Sequence, residues 1–420
     1  MHITILTLGS RGDIQPYIPL GLGLQRAGYT VRFATFNNFR DFVSAQGLEF
    51  APISGDPRST MNSQAGQAWL TSGRNIVTAT TQMWRALTSD DLRPAFDDTL
   101  EACQGSDAVI YSFMGSSAYH AAEKLNLPSI FALVQPFTRS RFVPSMIAPE
   151  LPLGGSYNLL THRISELLIW NIVRRMINRW RRDSLGLPAL SWRGPFDFLY
   201  KQQMPYLYGF SPSVIQPPAD YPAWHHISGY WFLDRDPAWS PPDELAHFLE
   251  AGSKPISIGF GSMTGRDTSK LLELAVRSIQ ETGQRAVLLG GWADAGNLKL
   301  PDSIFKIDAV PHDWLFPQMA AVVHHGGSGT TAAGLRAGVP SILIPFFGDQ
   351  PFWGRRVHAL GVGPQPIQRK SLTVAKLARA ISNAVENEIM QQTAATLGQR
   401  IQAEDGVQSA VDFIRDYLGD

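Results

Sequence analysis

Two clusters in the second half of the chain have residue types and spacing that could do chemistry. The first is His324-His325-Gly326-Gly327-Ser328-Gly329-Thr330-Thr331. An apolar run, Ala320 to Val323, precedes it and reads as a buried parallel strand. A strand ending at His325, a glycine turn and a helix from Thr330 to about Ala337 together make a phosphate cradle. Glycine lets the backbone approach, free N–H groups point at oxyanions, and the helix dipole favours negative charge. The G-x-x-x-x-G-K-[ST] loop of nucleoside triphosphatases is absent. The second cluster, Asp349-Gln350, follows a strand expected over Val339 to Ile344. A carboxylate and an amide there stand at the carboxyl end of a neighbouring strand, where open α/β sheets bind ligands. A phosphate binder followed by a polyol binder points to a sugar nucleotide.

The elements that must hold these groups form a second Rossmann-like unit starting at Pro255. Its strands are expected at Ile256–Phe260, Ala286–Leu289, Ile304–Ile307, Ala320–His325 and Val339–Ile344. The first half opens with another β-α-β. A strand over Ile3–Leu8 runs into Gly9-Ser10-Arg11-Gly12-Asp13, a helix over Pro16–Ala27 closed by Gly28, and a strand over Tyr29–Thr35. Gly21 and Gly23 fall inside that helix, so no G-x-G-x-x-G turn exists and a dinucleotide cofactor is discounted, as is a nicotinamide oxidoreductase. Further strands are expected at Leu48–Ala51, Ala108–Phe113, Ser129–Val134 and Tyr206–Phe210, and helices at Thr373–Val385, Ile389–Ala403 and Val407–Tyr417.

Composition sets the outer limits. A chain of 420 residues suggests two or three domains, and 44% hydrophobic with 17% charged residues describes an ordinary globular protein. Lys+Arg and Asp+Glu both number 36, so no global charge argues for nucleic acid. A single cysteine, Cys103, excludes a disulfide framework. The chain runs straight into a strand with no charged leader, and no apolar run reaches membrane-spanning length. A cytoplasmic monomer is expected, with peripheral contact at the inner face of a membrane as an option.

The runs at 311–331, PHDWLFPQMAAVVHHGGSGTT, and 345–353, PFFGDQPFW, resemble the donor-binding signature of UDP-sugar-dependent glycosyltransferases. The wording is closest to sterol glucosyltransferases; macrolide and glycopeptide-antibiotic glycosyltransferases carry a looser version. GSRGDIQPYIPL at 9–20, YGFSPSV at 208–214 and GYWFLD at 229–234 are similar to the same group. The resemblance implies an α/β chain of the GT-B fold, two Rossmann-like domains facing each other across a cleft. They would be an acceptor-binding domain over 1–215, a linker over 216–254, a nucleotide-sugar-binding domain over 255–400, and a C-terminal helix in 401–420 returning to the first. It implies no cofactor, with UDP-glucose or a related nucleotide sugar as co-substrate and a hydrophobic small-molecule acceptor.

The resemblance also implies roles for residues. Asp13 takes the place of the histidine that serves plant enzymes as base, and a carboxylate can accept the acceptor hydroxyl's proton. The bland alternative is a helix cap. Ser262 would meet the donor phosphates; Ala309-Val310-Pro311-His312 lies at the nucleobase, so Val310 is a candidate contact. The plant tryptophan and ribose-binding glutamate would fall at Ala309 and near Ala333, so uridine is weakly fixed and thymidine diphosphate sugars stay open. His325 would donate to the β-phosphate, with Gly327, Ser328, Gly329 and Thr330 completing the cradle. Asp349 and Gln350 would hold the 3- and 4-hydroxyls of the sugar. Adjacent strand residues point to opposite faces, so His324 and His325 do not suit one metal ion. Asp234-Arg235-Asp236, in a proline-rich segment, is rejected as a metal motif.

A helix over 156–182 carries Ile164, Leu168, Ile172, Met176 and Trp180 in one column and Arg174, Arg175, Arg179, Arg181 and Arg182 on another face. It reads as packed by the column with a solvated basic face, or as resting on anionic lipid. Phe142 and Trp192 are candidates to line an acceptor pocket. His120 reads as structural and His225-His226 as surface loop. The expected activity is an inverting, metal-independent hexosyl transfer. A sugar-nucleotide epimerase and a non-catalytic nucleotide-sugar or lipid binder are the alternatives.

Overall fold

The computed structural model describes residues 1–55, 92–260, 268–290 and 300–420. The chain divides into two compact units, Met1–Leu233 with Asp405–Asp420, and Asp234–Glu404.

The first unit is built on strands β1 (His2–Leu6), β2 (Thr30–Phe36), β3 (Glu49–Ile53), β4 (Ala108–Tyr111), β5 (Ser129–Leu133), β6 (Tyr206–Tyr208) and β7 (His225–Ile227). They pair in parallel in the order β3-β2-β1-β4-β5-β6-β7, with Ile3 facing Val31 on one side and Ala108 on the other. Parallel strands carry helices on their faces, so their side chains must be apolar both ways. Every residue of β4 and β5 is indeed buried. The core gathers Ile3, Ile5, Phe33, Ile110, Ile130 and Leu207. Strand order reverses between β1 and β4, which opens a crevice at their carboxyl ends.

His225-His226, expected as surface loop, forms edge strand β7. His225 is buried, stacks on Tyr206 at 4.2 Å and hydrogen-bonds Thr138 Oγ1 at 2.7 Å. The stretch 216–254, expected as linker, therefore holds a strand of the first unit and the helix Asp243–Glu250 of the second. The last helix, Gly406–Leu418, lies with the first unit: His226 bonds Ser409 Oγ at 2.8 Å and stacks on Phe413. Gly23 leaves room for Val407 and Val411.

The second unit has strands β8 (Ile256–Gly259), β9 (Ala286–Leu289), β10 (Ile304–Ile307), β11 (Ala321–His324) and β12 (Ser341–Leu343) in the order β10-β9-β8-β11-β12, again parallel. Its order reverses between β8 and β11, where His324 pairs with Gly259. Among the described residues no helix is long and apolar enough to cross a membrane.

The helix Gly154–Trp180 departs from its sequence pattern. Ile172 and Trp180 are buried, but Ile164 and Leu168 are 46% and 38% exposed. Its inward face begins with Asn158, Thr161, His162, Ser165 and Glu166. These polar groups find partners: Thr161 Oγ1 accepts from Ser145 N–H, Ser165 Oγ bonds Ser145 Oγ, and Glu166 holds Arg139. Buried polar groups so satisfied cost little. Arg181 is corrected likewise. It is buried, not solvated, gripping Glu123 with both terminal nitrogens and donating Nε–H to Pro188 O.

Candidate functional site

Each reversal of strand order is followed by a glycine turn and a helix, and the two turns are chemically different. In the first unit β1 runs into Gly9, Ser10 and a short helix, Arg11–Ile14. Gly9 has φ +128°, and a Cβ there would stand 2.5 Å from Asp13 Oδ2, so only glycine fits. Asp13 Oδ2 accepts both the N–H and the hydroxyl of Ser10 at 2.8 Å, while Thr7 Oγ1 donates to the Asp13 carbonyl. The carboxylate thus caps its own turn, and the capping alternative is partly realised. Among the described residues, however, only Oδ2 is engaged. Burial raises the Asp13 pKa above the usual carboxylate value, and the Ser10 bonds pull the other way. The loop after β4 folds against this turn: Ser112 N–H donates to Leu6 O, and Gly115 packs against Leu6. The sequence signal for Ser10 was present, since Ser-x-x-Asp has capping-box spacing.

In the second unit β11 runs into Gly326, at φ +91°, and the helix Ser328–Ala337 with Gly327 as N-cap. The helix starts two residues earlier than expected. Its first turn holds no acid and its cap makes no side-chain bond. Thr331 N–H and Oγ1 both return to Gly327 O, but Ser328, Gly329 and Thr330 N–H stand ahead of the first intrahelical acceptor. A Cβ on Gly329 would meet nothing within 4 Å, so that side of the turn is open. His324 is buried; its Nδ1 accepts Gly326 N–H at 3.1 Å and so holds the turn, while its buried Nε2 has no partner among the described residues. His325 is half-buried, its Nδ1 has no partner among the described residues, and its Nε2 lies against Gly327. Burial drives the pKa of His324 well down and that of His325 to about 4, so both rings are neutral near pH 7. A neutral imidazole offers one N–H donor, not a positive charge.

Asp349 and Gln350 open the helix Gln350–Ala359 after β12. Asp349 Oδ2 accepts the indole N–H of the buried Trp353 at 2.9 Å, which fixes the carboxylate. Gln350 is buried, and its Oε1 accepts from Phe346 N–H at 2.8 Å and Phe347 N–H at 3.3 Å. Its acceptor is therefore spent on the backbone, leaving the amide N–H₂ as donor. Trp353 and the Phe346–Phe347 backbone thus anchor the pair. Trp353 and the Phe346–Phe347 amides are the supports sequence reasoning missed; the Asp349/Trp353 spacing of one helical turn was its only trace.

The remaining candidates sit as follows. Ser262 lies outside the described residues. Val310 is buried in a cluster with Leu315 and Phe316, while Ala309 is exposed. Phe142 and Trp192 are 64% and 55% exposed. A small cavity lies nearby, under the loop after β5. Phe137, Met146, Ile147 and Ile169 give it apolar walls, and His162 and Glu166 a polar edge. His120 stands apart from Asp13, accepting from Arg181 in the buried ionic cluster. The acids of Asp234-Arg235-Asp236 are engaged by Arg336 and by Ala238 N–H. No group of three His, Cys, Asp or Glu side chains gathers as a metal site among the described residues.

Comparison with known proteins places both units. Residues 3–144 match the glycosyltransferase family 28 N-terminal domain, and residues 289–412 match the erythromycin biosynthesis protein CIII-like C-terminal domain. Sterol 3-beta-glucosyltransferase of Aspergillus terreus is 40% identical over 427 residues, taking in 99% of this chain and 30% of its own length. The Yarrowia lipolytica protein of the same name is 39% identical over 428 residues, with 99% and 28% covered. The chain thus spans about 30% of the length of these relatives. The solved glycosyltransferase of kitacinnamycin superposes with TM-score 0.72 at 21% identity, covering 99% of both chains. The calicheamicin glycosyltransferase CalG4 gives 0.69 at 17%, covering 100% of this chain and 98% of its own. These likenesses establish the fold: two parallel-sheet, Rossmann-like domains of the GT-B kind.

Proposed function

We propose that this chain, a homologue of the sterol 3-beta-glucosyltransferases carrying two glycosyltransferase domains, moves a hexose from a uridine diphosphate sugar to a hydrophobic alcohol. The observation that carries the reading is the acid-free glycine turn at Ser328–Thr330, with its open N–H groups, one strand away from Asp349 and Gln350. The diphosphate sits on those N–H groups, and the neutral His325 adds a donor. Fixed donors aimed at the departing diphosphate stabilise charge as it develops, with no cation needed. Asp349 accepts from one sugar hydroxyl and Gln350 donates to its neighbour. The acceptor oxygen attacks the anomeric carbon from the face opposite the leaving group; the C–O bond to the diphosphate breaks as the new one forms, and the configuration inverts. Asp13 takes the hydroxyl proton on Oδ1, while Ser10 holds Oδ2.

The first test is incubation with UDP-glucose and a panel of sterols, triterpenoids and polyketides, read by mass spectrometry. A product heavier than the acceptor by one hexosyl unit is expected, and it should form unchanged in excess EDTA. Loss on chelation restored by Mg²⁺ or Mn²⁺ overturns the metal-free mechanism. A new sugar nucleotide formed without acceptor identifies an epimerase, and binding without any product a non-catalytic binder. Titration with UDP and TDP side by side decides the base.

A further inference from the structure

The helix Gly154–Trp180 is inverted over its first turns. Polar Asn158, Thr161, His162, Ser165 and Glu166 face the protein, while Leu160, Ile164 and Leu168 face outward at 54%, 46% and 38% exposure. Positions spaced by four lie on one helix face, so these three form a continuous stripe. The stripe is extended by its neighbours. The loop carrying Phe142 and Ile147 lies along the same helix, tied by Asn158 Nδ2 to Arg141 O and by His162 Nε2 to Val143 O. Trp192 joins at the middle of the helix, its carbonyl accepting from Asn171 Nδ2. Phe142, Ile147 and Trp192 are all exposed. Further along the outward face Arg175, Arg179 and Arg182 replace the apolar residues, and Arg163 sits within the stripe. Glu150 and Asp183 are the exposed acids on these segments before Asp197, which is already paired with Arg139.

From this arrangement we propose that the outward face of the helix, with the loop at Phe142 and Trp192, docks on an anionic lipid bilayer. Large apolar side chains in one exposed stripe mark an interaction surface. An apolar stripe grading into arginines along one helix suits the boundary between acyl chains and phosphate headgroups. The helix lies in that boundary and does not cross it. A second copy of the chain is a poorer occupant. In a two-fold contact through this helix Arg175 and Arg182 would meet their own images or stand against the apolar stripe.

The proposal is tested by flotation of the intact chain with vesicles of phosphatidylcholine alone and of phosphatidylcholine with one-third phosphatidylglycerol. Binding is expected to the anionic vesicles and to weaken as salt is raised. The triple variant Leu160→Ser/Ile164→Ser/Leu168→Ser should bind about 10–100-fold more weakly, from loss of three partly inserted side chains. Each of Arg175→Ala, Arg179→Ala and Arg182→Ala should lower binding by about fivefold. All of these positions lie on the outward face, and circular dichroism verifies that the variants fold. Equal flotation of the triple variant and the parent overturns the proposal. So does an absence of binding to either vesicle. So does a dimer by light scattering that the triple variant abolishes, which would make the face a contact between copies. Vesicle binding is read without turnover, so its failure is distinguishable from failure of the glycosyl-transfer reading.

Discussion

The turn after β1 and the turn after β11 are the same device with opposite contents. Each follows a parallel strand at a reversal of strand order, passes through a glycine at positive φ, and opens a helix. In the first, the third helical residue is Asp13, whose carboxylate takes the Ser10 N–H. In the second, the third helical residue is Thr330, and no acid occupies the turn. A helix N-terminus favours an anion wherever it finds one. The first turn has filled itself from within; the second holds no acid, and the proposed function gives it to the donor's phosphate. The internal anion that disqualifies the first turn as a phosphate site is the group proposed above as the base. Ser10 holds one oxygen, among the described residues no bond is made to the other, and burial pushes the carboxyl pKa upward.

The largest expected effect follows from that division of labour. Asp13→Asn keeps an oxygen for Ser10 but removes the proton acceptor. Turnover should fall on the order of 10²–10⁴-fold, the usual worth of a general base. An unchanged kcat would make Asp13 a cap and nothing more.

A smaller effect sharpens the ligand side of the comparison. Gln350→Glu keeps an acceptor for Phe346 and Phe347 but replaces the outward donor by a carboxylate oxygen. A hydroxyl oxygen that loses its donor at a buried site costs about 1–3 kcal/mol, or roughly 5–150-fold in affinity. Wild type should prefer UDP-glucose over UDP-galactose, and the variant should narrow that gap. Equal use of both sugars by wild type contradicts the assignment of the pair to the 4-hydroxyl.

The smallest effects concern pH. The Asp13 pKa is raised, so the acid limb of kcat/KM should lie above the ordinary carboxylate value of about 3.9. That limb should vanish from the residual activity of Asp13→Asn. The stability sign runs the same way. A raised folded-state pKa stabilises the fold fully below the unfolded value and ceases to do so as pH rises through the folded value. At pH 7 the buried carboxylate is therefore a cost to the fold, and Asp13→Asn should melt higher than the parent. A lower melting temperature would show the Ser10 bonds outweighing burial.

The sequence made both turns legible, because glycine, apolar strand and helix follow one another within a few residues. The strands of the two sheets were legible for the same reason, as runs of Val, Ile and Leu. What escaped depended on partners distant in the chain. His225 looks like loop beside prolines and tryptophans; only Tyr206 and Thr138, brought to it by the sheet, make it an edge strand. The helix Gly154–Trp180 shows an apolar column, and burial of that column was the natural expectation. The loop around Ser145 instead satisfies the polar face and turns Ile164 and Leu168 outward, while Ile172 and Trp180 stay buried. Gln350 looked like a two-way hydrogen-bonding group until the backbone of Phe346 and Phe347 claimed its oxygen.

The contrast between the turns is put to its most direct test by making the second turn into the first. Thr330→Asp places a carboxylate at the same helical position that Asp13 holds. Calorimetric titration of UDP into the parent, Asp13→Asn and Thr330→Asp compares filled and open turns in one experiment. The parent and Asp13→Asn should bind alike. Thr330→Asp should bind at least ~100-fold more weakly, since juxtaposed like charges cost several kcal/mol, while folding as stably as the parent. Undiminished binding by Thr330→Asp, or binding lost in Asp13→Asn, would contradict the account.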